Sequence, residues 1–265
     1  MDEPADAPFA LELQEVSLVK GRRAIVDGVT LRVRRGEVLA LVGRNGAGKT
    51  STLRVLTGLE RPTKGRIVRN HAPRALGYCP QQDAVYPELT CLENLVQAAA
   101  LHNVPATRAR ATGRALLAAL GLADKADAHA EHLSGGMRRR LTLALAFVHE
   151  PEVVAIEEPE AGLDPTSKLA VERFLRARPA GQTLIVSTHD LGGLAQLADR
   201  VAILEAGRLV ALCAPGELAR WDYALPGGEE PQGEMAFSEV APSKSGRSAR
   251  LPKRLFSPAV RGVGA

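Results

Sequence analysis

Apolar residues near the start of the chain fall in three short runs, LELQEV (11–16), VTLRV (29–33) and EVLALV (37–42), parted by Gly-Arg-Arg and Arg-Arg-Gly turns. Short, partly β-branched runs bounded by turn residues predict strands. The third run leads directly into a glycine-rich stretch, and 48–56 then has helical composition, giving strand, loop and helix in order. Further strands are expected near 65–68 and 75–79, after which 92–122 is rich in Ala and Leu and predicts an insertion of two or three helices. Residues 153–156 and 183–186 are continuous apolar runs, as in parallel strands buried on both faces, and 168–176 between them predicts a crossover helix. Residues 201–204 and 208–212, joined by Glu-Ala-Gly, predict a closing hairpin, and Pro215 opens a last short helix. The scheme is α/β.

After Trp221 the pattern lapses. From about Leu225 the chain is dominated by Pro, Gly, Ser, Glu and Arg, and such a composition predicts a disordered tail over 223–265. The tail also changes the meaning of the charge. The net charge is +4, but Lys244, Arg247, Arg250, Lys253, Arg254 and Arg261 stand in a stretch without a single acid. The remainder is slightly acidic, so net charge gives no reason to expect a nucleic-acid partner. No apolar stretch, 141–148 included, approaches the roughly 20 residues of a membrane span. The acidic start MDEPADAPFA is unlike a secretory signal, and the chain is expected in the cytoplasm. Cys79, Cys91 and Cys213 have neither disulfide-framework nor zinc-site spacing and are expected to be reduced packing residues.

Candidate chemistry begins at Gly43-Arg44-Asn45-Gly46-Ala47-Gly48-Lys49-Thr50, a phosphate-loop pattern set between a predicted strand and a predicted helix. Glycines let backbone N–H groups close around phosphates, and the helix start adds its positive dipole end. Lys49 is expected on the β- and γ-phosphates and the Thr50 hydroxyl on Mg²⁺, with Ser51 counted in the same nucleotide-binding set.

A phosphate loop does not choose among kinases, GTPases and transport ATPases. Leu133-Ser134-Gly135-Gly136-Met137, followed by RRRLTLALAFV, resembles the signature motif of the ATP-binding cassette (ABC) family. Read alone, Ser134 is a helix N-cap. The resemblance covers about 10–222, implying a P-loop NTPase core with an N-terminal antiparallel β subdomain and a helical subdomain at about 86–150. It implies that Ser134, Gly135 and Gly136 face the γ-phosphate held by a second cassette, two chains enclosing two ATP molecules head to tail. Gln81 in GYCPQQ then matches the glutamine that senses Mg²⁺ and the attacking water. Glu158 matches the catalytic base and Glu157 the acid that holds a Mg²⁺-bound water. Asp164 in AGLDP matches the loop that touches the partner, and His189 in VSTHD matches the histidine at the γ-phosphate.

Three positions depart from the family pattern. Glu157 stands where Asp is usual, Glu160 adds a carboxylate where Thr or Ser is usual, and Lys20 before Gly21 replaces an aromatic residue that would stack on adenine. With Lys49, Glu158, Ser134 and His189 intact, hydrolysis is expected; a slow, degenerate cassette paired with a sibling is the alternative. The segment VYPELTCLENL and the arginines after Met137 are similar to cassettes of exporters for drugs, antibiotics or lipid-linked glycans. A soluble cassette ATPase with a non-transport role is the other alternative, although the chain lacks the coiled coils, zinc modules or second cassette usual in soluble ABC proteins. The resemblance thus implies ATP and Mg²⁺ as cofactors and membrane-spanning subunits in separate chains as partners. It also implies a peripheral place on the inner face of the plasma membrane, as a homodimer or heterodimer of cassettes.

Overall fold

The computed structural model describes residues 9–71, 75–189 and 193–220. The predicted tail at 223–265 lies outside the described residues. The chain divides into two units, 1–215 and 216–265; of the second, 216–220 is described, part of a 3-10 helix spanning Pro215–Arg220.

The first two strands, β1 (Phe9–Lys20) and β2 (Arg23–Arg34), form one long antiparallel hairpin turning at Gly21, whose φ is 61°. Pairs Leu11↔Val33, Leu13↔Leu31 and Val16↔Val29 put apolar side chains on one face. The register shifts between Leu13 and Val16, where Glu15 takes φ 50°. This bulge returns Val16 to the buried face after three residues instead of two. The broken alternation is why the pattern predicts β1 only to 16 and misses the strand through Lys20. The third strand of this sheet, β4 (Lys64–Arg69), pairs with β1 in the order β2-β1-β4.

The second sheet holds the remaining strands: β3 (Val38–Val42), β5 (Leu76–Cys79), β6 (Val153–Glu157), β7 (Thr183–Thr188), β8 (Arg200–Glu205) and β9 (Arg208–Cys213). Their order is β5-β6-β7-β3-β8-β9, parallel except for the antiparallel β8–β9 hairpin. All residues of β3, β6 and β7 are buried, as expected of continuous apolar runs covered on both faces. Ala206 and Gly207, with φ 46° and 83°, supply the two left-handed positions that a tight hairpin turn needs.

Helix α1 (Lys49–Thr57) packs between the sheets. Leu53, Val55 and Leu56 join Leu11, Leu13 and Val29 of the first sheet and Leu39, Leu41 and Ile185 of the second in one core. Full burial of each such side chain is worth about 1.5–3 kcal/mol, so this contact fixes the phosphate-loop helix to both layers.

The insertion contains α2 (Cys91–Ala100) and α3 (Ala106–Ala119), and α4 (Gly135–Phe147) follows. Thr90 and Glu93 close α2 with a reciprocal capping box. The buried Asn94 side chain donates to the Tyr86, Leu89 and Thr90 carbonyls and accepts from the Tyr86 N–H, pinning the approach to α2. The crossover helix α5 (Pro165–Arg176) begins three residues earlier than predicted, because Asp164 caps it and Pro165 occupies its first turn.

Candidate functional site

Parallel strands carry their loops out of a common edge. Val42 pairs with Thr188 and Glu157 with Ser187, so the chain leaves β3, β6 and β7 side by side, at strand spacings of about 4.8 Å. The loop 43–48 follows β3, Glu158 follows β6 and His189 follows β7; β5, beside β6, leads within two residues to Gln81. Ligands of open α/β sheets bind at this carboxyl edge.

Glycine is required in the phosphate loop by close approach. A Cβ on Gly43 would stand 2.3 Å from the Leu204 carbonyl oxygen, and one on Gly48, whose φ is 100°, 2.7 Å from that of Ile25. Gly46, by contrast, has open space around it, and Arg44 and Asn45 are exposed beside it. Ala47 is buried, its N–H donating to the Arg44 carbonyl. Thr50 and Ser51 are half-buried in the first turn of α1, where N–H groups have no carbonyl one turn back to bond.

The buried Lys49 ammonium donates to the Gly43 carbonyl at 2.7 Å and the Arg44 carbonyl at 3.3 Å, and lies 3.7 Å from Glu158 Oε1. Burial lowers its pKa, and Glu158 opposes the shift. Glu158 is also the meeting point of the other candidates. Its Oε2 lies 3.4 Å from Gln81 Nε2 and 3.4 Å from His189 Nδ1. The Glu158 backbone takes φ 38°, uncommon for a residue with a side chain, and its N–H donates to the Ser187 carbonyl. This turn breaks the strand after Glu157 and lets the two neighbouring carboxylates face different surroundings.

Glu157 is wholly buried and engaged with the protein. Oε1 accepts from Arg54 Nε at 3.1 Å and from the Tyr78 hydroxyl, and Oε2 accepts from the Gln81 N–H at 3.2 Å. Burial, and next the bond to Glu157, push the Tyr78 hydroxyl up to about 12. Glu160 is buried too, with its carboxylate oxygens 3.0 and 3.4 Å from where a Cβ on Gly193 would stand.

The signature residues form a second cluster. Ser134 caps α4 by accepting from the Met137 N–H at 3.3 Å, and Ser134 and Gly135 are exposed. Asp164 accepts from the Ser167 hydroxyl at 2.6 Å and from the Ser167 and Thr166 N–H groups, which hold its pKa below the usual carboxylate value. A Cβ on Gly136 would lie 4.0 Å from Asp164 Oδ2, so these two motifs adjoin within one chain. Arg139, five residues beyond Ser134, links the helix to the first cluster. It is 4% exposed and donates to the Pro80, Gln81, Glu157 and Glu158 carbonyls.

Arg54, Tyr78 and Arg139 were not legible as site residues. For Arg139 there was a signal: it shares a helical face with the buried Leu143 and Ala146, spacings of four and seven residues. For Arg54 and Tyr78 the pattern of the chain carries none. Lys20, at the position compared with an adenine-stacking aromatic, is paired with Glu60 at 2.7 Å, and the neighbouring Val19 is exposed. Cys79, Cys91 and Cys213 form no disulfides; burial raises the Cys79 pKa to about 11.

A sequence profile described as ABC transporter matches residues 26–161. The Nod factor export ATP-binding protein I of Burkholderia orbicola is 38% identical over 218 residues, 78% of this chain and 72% of that protein. Among solved structures, an ATP-binding subunit of an ABC transporter is 30% identical, with a TM-score of 0.70 over 80% of this chain and 92% of that one. A dimeric ATP-binding cassette bound to ADP and Pi has a TM-score of 0.72 at 22% identity, over 77% of this chain and 98% of that one, a likeness of fold. Phosphate loop, carboxyl-edge acids, profile and relatives agree: the chain belongs to the ABC transporter family and is an ATP-hydrolysing ATP-binding cassette.

Proposed function

We propose that this cassette is the motor subunit of a membrane exporter, energised when ATP draws two cassettes together head to tail. The observation that carries the hydrolytic part is the convergence of Lys49, Gln81 and His189 on one carboxylate, Glu158. A buried ammonium, helix-start N–H groups and oxygen donors fit a triphosphate with a hard cation. No group of three His, Cys, Asp or Glu side chains among the described residues is placed to hold a metal, so Thr50 and Gln81 would hold Mg²⁺ together with the phosphates. Bound there, Mg²⁺ would neutralise charge gathering on the β- and γ-phosphate oxygens.

Glu158 would accept the proton of the attacking water, with Gln81 Nε2 orienting that water and Lys49 leaving its pairing with Glu158 for the phosphates. His189, 60% exposed, would close on the γ-phosphate. Ser134 lies roughly 7 Å along the axis of α4 from Arg139, the residue of that helix bonded to this cluster, at 1.5 Å per residue. Its exposed helix end is free to meet the nucleotide of another chain, which makes turnover conditional on pairing. Export as the direction rests on the Nod factor export relative. The cassette over 10–222, with its helical subdomain at 86–150, would dock on membrane-spanning subunits in separate chains, at the cytoplasmic face. No helix among the described residues is long and apolar enough to cross a membrane.

Sedimentation of Glu158→Gln tests the pairing. With ATP and Mg²⁺ it is expected to shift from monomer to dimer, and Ser134→Arg in the same chain is expected to abolish the shift. A Glu158→Gln chain that binds ATP and stays monomeric, or dimers indifferent to Ser134→Arg, would contradict head-to-tail closure.

A further inference from the structure

The extra methylene of Glu157 gives its carboxylate a different use from the one the family resemblance implies. Its oxygens already receive three protein donors: Arg54 Nε from α1, the Tyr78 hydroxyl from β5 and the backbone N–H of Gln81. Arg54 Nε also lies 3.3 Å from the Tyr78 oxygen, so the two donors act as one clasp. The side chain is 1% exposed to solvent, and Arg54 supplies its countercharge. A carboxylate that orients a metal-bound water accepts a hydrogen bond from that water, and here three of its roughly four lone-pair positions are taken by protein donors, two on Oε1 and one on Oε2. The Gln81 turn is what the clasp controls. With its N–H anchored on Glu157 and its carbonyl on Arg139, Gln81 can extend its side chain to Glu158 at 3.4 Å.

We infer that Glu157 is a positioning residue for Gln81, tied through Arg54 and Tyr78 to the phosphate-loop helix, and not a holder of the metal's water. The inference rests on the reading of Gln81 and Glu158 as the hydrolytic pair. Its consequence is that the tie, and not a negative charge beside the metal, is what this cassette needs at position 157.

Tyr78→Phe, Glu157→Gln and the double variant of the full chain decide the matter by three readings. Hydrogen exchange of the 80–86 segment should quicken by about tenfold in each single variant, as lost local bonds allow. Turnover should fall by about tenfold in each and no further in the pair, because both break one device. The affinity of Mn²⁺ for the complex with a non-hydrolysable ATP analogue, read by electron paramagnetic resonance, should fall by about the same factor, roughly threefold, in all three, since each variant reaches the metal only by loosening Gln81. A roughly tenfold loss of Mn²⁺ affinity in Glu157→Gln, with Tyr78→Phe silent, would assign Glu157 to the metal and overturn the inference. Additive losses, or unchanged exchange at 80–86, would overturn it as well. A wild-type chain without turnover would sink the hydrolytic reading, while exchange and Mn²⁺ affinity would still decide the tie.

Discussion

Adjacent glutamates on one strand end have opposite surroundings because a single backbone angle separates them. Glu157 closes β6 in extended conformation and is sealed inside, whereas Glu158, at φ 38°, swings back to Lys49, Gln81 and His189. A left-handed residue other than glycine costs of order 1 kcal/mol, which the Ser187 carbonyl and the Arg139 guanidinium offset by holding the Glu158 N–H and carbonyl. Arg139 thus does for this site what a structural cation would do, binding four carbonyl oxygens from two separate segments. Arg139→Met should lower unfolding free energy by about 3 kcal/mol, since it strands buried acceptors. Urea denaturation checks this, and Arg139→Lys should recover only part, because an ammonium cannot span two pairs of carbonyls as the planar fork does. A loss below about 1 kcal/mol would mean that water replaces the guanidinium readily.

At the scale of elements, the junction between the end of α4 and the start of β5 carries a titratable stack. His149 and His102 lie face to face, ring centroids 3.6 Å apart, and His149 Nε2 bonds the Leu76 carbonyl at 3.2 Å. Burial, and next the neighbouring His102, lower the pKa of His149 to about 4 from the ordinary histidine value. The folded chain therefore refuses a proton that the unfolded chain accepts. Stability is unaffected above the unfolded pKa of about 6.5 and falls as pH drops from there toward about 4. His149→Gln should flatten this dependence, the two chains diverging by about 1 kcal/mol between pH 7 and pH 5 after allowance for partial solvent exposure. Parallel curves of unfolding free energy against pH would show that the stack does not couple to folding.

At the scale of the molecule, the legible parts were those written in local pattern. Continuous apolar runs marked β3, β6 and β7, and the phosphate loop announced its own strand and helix. The first hairpin was half read because the Glu15 bulge breaks the period of two. Site residues expected through motif resemblance did gather, Lys49, Gln81, Glu158 and His189 at one sheet edge and Ser134, Gly136 and Asp164 at the heads of α4 and α5. What stayed hidden were partners fixed only by three-dimensional proximity. Tyr78 and Arg54 reach Glu157 from 79 and 103 residues away in sequence, and the Glu160 carboxylate lies beside Gly193. No period or spacing along a chain records such meetings.

On the function proposed above, two copies of a site centred on Glu158 hydrolyse ATP only when paired. Mg²⁺-dependent phosphate release from ATP, followed against protein concentration for the wild type and Glu158→Gln, tests it most directly. Release per chain is expected to rise with concentration and to drop by about 10²-fold or more in Glu158→Gln, the contribution of a general base. Release proportional to protein at every concentration, or a Glu158→Gln chain as fast as the wild type, would contradict the claim.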